Sequence, residues 1–288
     1  MLTPILASFS AALVAALPSH NNLNARQAAS AYATNSDGSL QLSSIAAPVQ
    51  GPGSPSGSTW ALSIDDTSSG YKQTITGFGA AVTDATVTSF TTLSTAALNA
   101  LLNELMTSAG ADFSLMRHTI GASDLSGDPA YTYDDNGGNA DPNLTGFNLG
   151  GRGNAMAQML AQMKSLQPDL TIFGSPWSPP AWMKLNNAID GDTTNNNLND
   201  GYLTNNGPQD SSAFAEYFVK YIQAYEAQGA HIDAITIQNE PLNSQAGYPT
   251  MYMFDYEQAD LVQNYVGPAL ASAGLDTKVW AYDHNTGT

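Results

Sequence analysis

Cysteine is absent from the 288 residues, which excludes disulfides, thiolate nucleophiles and cysteine-based zinc sites. Stability must come from packing. Basic side chains are scarce, eight against 25 acidic ones, for a net charge of −17. That field repels nucleic acid and anionic membranes and leaves a neutral polymer such as a polysaccharide unpenalised. Charged residues of both signs reach only 11%, against 42% hydrophobic, the balance of a folded chain with a polar, mostly uncharged surface. No Gly-x-Ser-x-Gly elbow, P-loop or Gly-x-Gly-x-x-Gly fingerprint occurs, so serine-hydrolase, nucleotidase and dinucleotide readings lack their usual support. Acid/base chemistry on a neutral substrate, without a cofactor, is what remains.

What is present begins with a 13-residue run of apolar and small side chains, Ile5 to Leu17, followed by Pro18 and the polar Ser19-His20. It is too short to span a bilayer and is expected to be a secretory signal over residues 1–18, so the protein is expected outside the cell. Asn143-Leu144-Thr145, the one N-glycosylation sequon, is consistent with export. Residues 28–70 are rich in Ser, Gly and Pro, with short alternating pieces at Ser39–Ser43 and Trp60–Ile64. These read as a few exposed strands and turns.

From Tyr71 onward short apolar runs alternate with amphipathic stretches long enough for helices, the pattern of repeated βα units. Strands are expected at Thr74–Phe78, Phe113–Met116, Leu170–Phe173, Ala234–Ile237 and Lys278–Tyr282. Between them, Ala97 to Met106 and Met156 to Leu166 recur at three and four, and Phe214, Tyr217, Phe218, Tyr221, Ile222 and Tyr225 share one helix face. Asp210 is expected to cap that third helix and Asp255 with Gln258 to box the fourth. Strands apolar on both faces imply a parallel sheet covered by helices, in barrel or open form. The loops 119–153 and 175–209 follow strand C-termini, where βα proteins build their sites.

Only five glutamates occur, and Glu104, Glu216, Glu226 and Glu257 fall in expected helices. Glu240 differs, because it follows the fourth strand directly and Pro241 turns the chain away. A carboxyl group half sunk in such a mouth is partly desolvated, the condition for a general acid. A structural strand-end carboxylate is the competing reading. Asn239 beside it suits a sugar hydroxyl. Arg117 and His118 after the second strand, Asp124 in the next loop, and Asp283 and His284 after the fifth are expected at the same rim. Trp177 offers an apolar platform for the C–H face of a sugar ring, while Trp182 reads as core. No spaced His/Glu cluster supports a metal site.

Five ordered motifs then carry a resemblance: Gly77 to Ala85, Arg117 to Ser126, Tyr131-Thr132-Tyr133-Asp134-Asp135, Ser175 to Lys184, and Gln238-Asn239-Glu240-Pro241. The sequence resembles glycoside hydrolase family 30, particularly its fungal endo-β-1,6-glucanase-like members. The resemblance implies a retaining (β/α)8 TIM barrel with Glu240 as acid/base and a second glutamate, after strand seven, as nucleophile. By matched position it implies Asn239, Arg117, Asp124 and Trp177 as substrate-binding. It also implies a side β-sandwich, to which residues 28–70 would give the first strands, leaving 71–288 as a partial barrel of about five of the eight strands. The motifs stop before a nucleophile. The expectation is therefore a fragment of such an enzyme, inactive alone or only glycan-binding, with β-1,6-galactan, xylan and glucosylceramide as alternative substrates to β-1,6-glucan.

Overall fold

The computed structural model describes residues 30–47, 67–192, 208–243 and 245–285. The expected signal and the piece Trp60–Ile64 lie outside these residues. The chain divides into two units, Met1–Thr74 and Ile75–Thr288.

In the first unit, β1 (Ala31–Ala33) pairs antiparallel with β2 (Ser43–Ile45), Ala31 opposite Ile45. Of the strand expected at Ser39–Ser43, residues 39–42 are instead the connection and only Ser43 enters β2. Asn35 accepts the Leu40 N–H on its side chain at 2.8 Å and Gly38 turns at φ +73°, so the chain reverses there before pairing resumes.

The second unit holds five parallel strands in chain order: β3 (Gly79–Val82), β4 (Leu115–Ile120), β5 (Thr171–Pro176), β6 (Ala234–Thr236) and β7 (Lys278–Trp280). Helices lie between them: α1 (Asp84–Thr91) and α2 (Thr95–Met106), α3 (Gly150–Leu166), α4 (Pro208–Glu226), then α5 (Asp255–Leu261) and α6 (Gly267–Ser272). Four βα crossovers joining five parallel strands in chain order are what a TIM-barrel wall requires.

Three strands sit further along the chain than expected. β3 forms at 79–82 rather than 74–78 because a Cβ on Gly79 would overlap the Leu115 carbonyl; only a glycine lets these two strands meet, and Ile75 and Phe78 remain exposed. β4 and β5 pair from Leu115↔Thr171 through Ile120↔Pro176, so Arg117 and His118 lie within a strand, not after it. Helix starts differ as well. Asp210 lies inside the first turn of α4, and the α5 start is tied by Glu257, whose carboxylate accepts the Phe254 N–H at 2.6 Å, one position ahead of the expected box. A π-helical turn, Val262–Val266, joins α5 to α6, where Pro268 cannot donate to the helical ladder.

The core lies between the sheet and α2 to α4. Met156, Met159, Leu160 and Met163 of α3 are buried, as are all the aromatic residues expected on α4. Tyr133 stacks on Tyr217 and Tyr221, and its hydroxyl lies 2.7 Å from that of Tyr225. Gly174 on β5 leaves room for the Tyr221 hydroxyl, which a Cβ would displace.

Candidate active site

Strand alternation decides which side chains reach the site. On β4, Met116, His118 and Ile120 are buried toward the helices, while Arg117 points to the inside of the curved sheet. Ser175 of β5 and Thr236 of β6 point inward as well. All three converge on Asp283, which follows β7. Its Oδ2 accepts from Arg117 Nη2 at 2.8 Å and from Ser175 Oγ at 2.6 Å, and lies 2.9 Å from Thr236 Oγ1. The ion pair is only 21% exposed on either side, so solvent screens it less than a surface pair. The same Arg117 nitrogen donates to Asn239 Oδ1 at 2.6 Å, and the guanidinium stacks on Trp177 with 4.7 Å to the ring centroid. Arg117, Asn239 and Trp177, each singled out from sequence, thus form one contact network.

Glu240 stands at the edge of this network, half-buried. Its backbone is left-handed, φ +44°, a conformation that a non-glycine residue holds only when its surroundings impose it. Two backbone hydrogen bonds do so: Glu240 N–H to the Asp283 carbonyl and Asn243 N–H to the Glu240 carbonyl, both 2.8 Å. The side chain is oriented too. Asn243 Nδ2 donates to Glu240 Oε2 at 2.8 Å and to the Tyr248 hydroxyl at 3.0 Å. Asn243 and Tyr248 escaped the sequence reading, because a loop asparagine and a Gly-Tyr-Pro tyrosine carry no spacing signal until the turn after Pro241 folds. Neither did Ser175 and Thr236 stand out as ligands of Asp283.

Other expected rim residues go elsewhere. His118 faces the helices and is fully buried. Its Nδ1–H donates to the Thr119 carbonyl at 3.0 Å, so Nε2 accepts from the Tyr221 hydroxyl at 2.5 Å. Burial pulls its pKa down to about 3, with the Thr119 hydrogen bond opposing and the Arg117 charge assisting. A neutral imidazole in a hydrogen-bonding role is the result. Asp124 is exposed in the turn after β4 and shares no hydrogen bond with the network among the described residues. Trp182 is core, donating its indole N–H to the Asp134 carbonyl at 3.0 Å. Lys184 is buried between the loop after β5 and the loop after β6, donating to the carbonyls of Ile189, Asp190 and Thr250 at 2.6, 3.2 and 2.9 Å, and burial lowers its pKa to about 7.

A cavity of about 350 Å³ lined by Ser114, Thr171, His231, Asp233, Lys278 and Trp280 opens at the other, N-terminal end of the strands. In βα barrels that end serves stability and the C-terminal end carries chemistry. The Glu240 network lies at the latter.

Residues 75–288 match the glycosyl hydrolase family 30 TIM-barrel domain. The chain belongs to glycosyl hydrolase family 30. It is 75% identical over 277 residues to an endo-1,6-beta-D-glucanase of Trichoderma harzianum, covering 96% of this chain and 56% of that protein. An endo-1,6-beta-D-glucanase of Aspergillus fumigatus is 73% identical, with 93% and 56% covered. Among solved structures, an endo-β1,6-glucanase superposes with a TM-score of 0.67 at 30% identity, over 90% of this chain and 52% of that one. The chain spans about half the length of the curated relatives it matches. Membership in family 30 makes the five strands part of a TIM-barrel domain, closing the choice between barrel and open sheet.

Proposed function

We propose that the protein is a secreted retaining glycoside hydrolase acting on β-1,6-linked glucan, with Glu240 as its acid/base. The observation that carries this reading is the restraint on Glu240: a left-handed backbone fixed by Asp283 and Asn243, and a carboxyl held by an amide that Tyr248 holds in turn. Such restraint suits a group that must meet one glycosidic oxygen in one geometry. Glu240 protonates the leaving oxygen as the anomeric carbon bonds to the nucleophile, then takes a proton from the water that releases the sugar. Asn239 and Arg117 bind sugar hydroxyls, Trp177 backs Arg117, and Asp124 reaches the glycone from its loop. The named activity of the relatives supports β-1,6-glucan as substrate.

Double displacement needs two carboxyls roughly 5–5.5 Å apart. Asp283, the other carboxylate of the network, is committed to Arg117, Ser175 and Thr236 and is not the nucleophile in this proposal. By the family resemblance that role belongs to a second glutamate after strand seven of the barrel; Glu104, Glu216, Glu226 and Glu257 all lie in helices here. The commitment of Asp283 also favours a second reading, in which the chain binds glucan without turnover. Incubation of the chain, and of a full-length form that carries the nucleophile, with β-1,6-glucan, β-1,3-glucan and xylan separates the two. Sugar release from the β-1,6 polymer with retained anomeric configuration supports the hydrolase; affinity without release supports the binding reading, and turnover of xylan alone contradicts the substrate assignment.

A further inference from the structure

Lys184 is wholly buried, an expensive place for an ammonium, and the catalytic reading gives it no part. Three backbone carbonyls converge on its Nζ: Ile189 and Asp190, from the loop after β5, and Thr250, from the loop after β6. Burial opposes its charge, and the carboxylates of Asp190 and Asp192 support it. A compact ammonium on a flexible stem can meet carbonyls from two segments at once, which a planar guanidinium fork does less readily.

The two loops touch at this same place. Asp190 bridges antiparallel to Pro249, and the Gly191 N–H donates to the Tyr248 carbonyl at 3.1 Å. So short a pairing is marginal by itself, and the ammonium ties both of its sides together through the carbonyls of Asp190 and Thr250. Two routes lead from there to Asn243. In the first, the Tyr248 hydroxyl accepts from Asn243 Nδ2 at 3.0 Å. In the second, Thr250 Oγ1 donates to the Gln245 carbonyl at 2.9 Å, and the Gln245 N–H donates to Asn243 Oδ1 at 3.2 Å. Both ends of the Asn243 amide are thus set by residues that Lys184 holds in place, and that amide donates to Glu240 Oε2 at 2.8 Å.

We propose that Lys184 is a positioning residue for Glu240, fixing the loop after β6 so that Asn243 meets the Glu240 carboxyl. Without the ammonium, carbonyls turned toward a buried site lose their donor, and the loops part to let water satisfy them. Tyr248 and Gln245 then release Asn243, and the carboxyl loses its orientation. The consequence for turnover rests on the reading of Glu240 as acid/base; the link from Lys184 to the carboxyl does not.

The test begins with the full chain. With glutamate carboxyls labelled in ¹³C, Glu240 is the resonance missing from E240Q, and N243A gives the shift that follows loss of the amide at Oε2. The proposal expects K184M to move the Glu240 resonance in the same direction by a comparable amount, and K184M/N243A to move it no further than N243A alone. In a full-length form that carries the nucleophile, K184M should lower kcat on β-1,6-glucan several-fold with KM unchanged, and K184R should recover part of the loss. A K184M chain with a lower unfolding midpoint but a wild-type Glu240 resonance overturns the proposal, and so do shifts that add in the double variant. K184Q, which retains an amide donor, replaces K184M if K184M does not fold; failure of both to fold makes Lys184 purely structural and also overturns it. Absence of turnover in the wild-type full-length form contradicts the hydrolase reading alone, and the Glu240 resonance still decides the role of Lys184.

Discussion

Arg117 and His118 are neighbours on one strand and belong to two different environments. Arg117 faces the inside of the sheet, half-buried, bridging Asn239 and Asp283 and stacking on Trp177. His118 faces the helices, fully buried and neutral, held between the Thr119 carbonyl and Tyr221. A side-chain period of two, not the type of residue, separates them. The inward region is polar, partly wet and oriented by hydrogen bonds across four strands. The outward region is a block of tyrosines whose hydroxyls are satisfied internally, Tyr133 with Tyr225, Tyr221 with His118 and Tyr217 with the Tyr133 N–H. Substitutions in the first should change activity more than stability, and those in the second should do the reverse.

The largest effect expected is at the inward face. E240Q in a full-length form that carries the nucleophile should lower turnover of unactivated β-1,6-glucan by about 10²–10⁴-fold, with an unfolding midpoint matching wild type; a parallel loss of stability would erase the contrast between the two faces. Next comes the outward face. Because the folded pKa of His118 is depressed to about 3 from an ordinary 6.5, the unfolded chain binds more protons between those values. Its contribution to stability is complete above pH 6.5 and declines as pH falls toward 3, by up to about 1.4 kcal/mol per pH unit. H118Q should be less stable than wild type at pH 7, and denaturant titrations should show the two converging as pH drops below 6.5. Curves that stay parallel would mean that His118 accepts a proton in the folded state.

Smaller effects sharpen the division. R117K keeps the charge but cannot bridge two acceptors while stacking on Trp177; kcat/KM should drop by about tenfold with little change in midpoint. N243A frees the Glu240 carboxyl from its amide and should lower kcat several-fold with KM unchanged, as steady-state kinetics on β-1,6-glucan would show. If KM rises instead, Asn243 contacts sugar directly rather than positioning Glu240.

The alternation of strand and helix was legible because apolar periodicity is local, and so were Phe214 to Tyr225 as one buried face. Strand positions were less so. The β3 shift from 74–78 to 79–82 follows from the close approach of Gly79 to Leu115, a contact between segments 36 residues apart that apolar pattern cannot report. That shift, and the extension of β4 through Ile120, is why His118 looked like a rim residue. Glu240, Asn239, Arg117 and Trp177 were legible through strand-end position and ordered motifs together. Asn243, Tyr248 and the Asp283 ligands were not, since their roles depend on how the turn after Pro241 brings the β6 and β7 loops together.

The central claim is that Glu240 donates and recovers the proton, and chemical rescue of E240A tests it most directly. With an aryl β-glucoside whose leaving group needs no protonation, and with azide present, the account predicts that a full-length form that carries the nucleophile and E240A regains turnover and releases the β-glucosyl azide, while β-1,6-glucan stays uncleaved. Equal loss on both substrates with no azide product would contradict the assignment of Glu240 as acid/base.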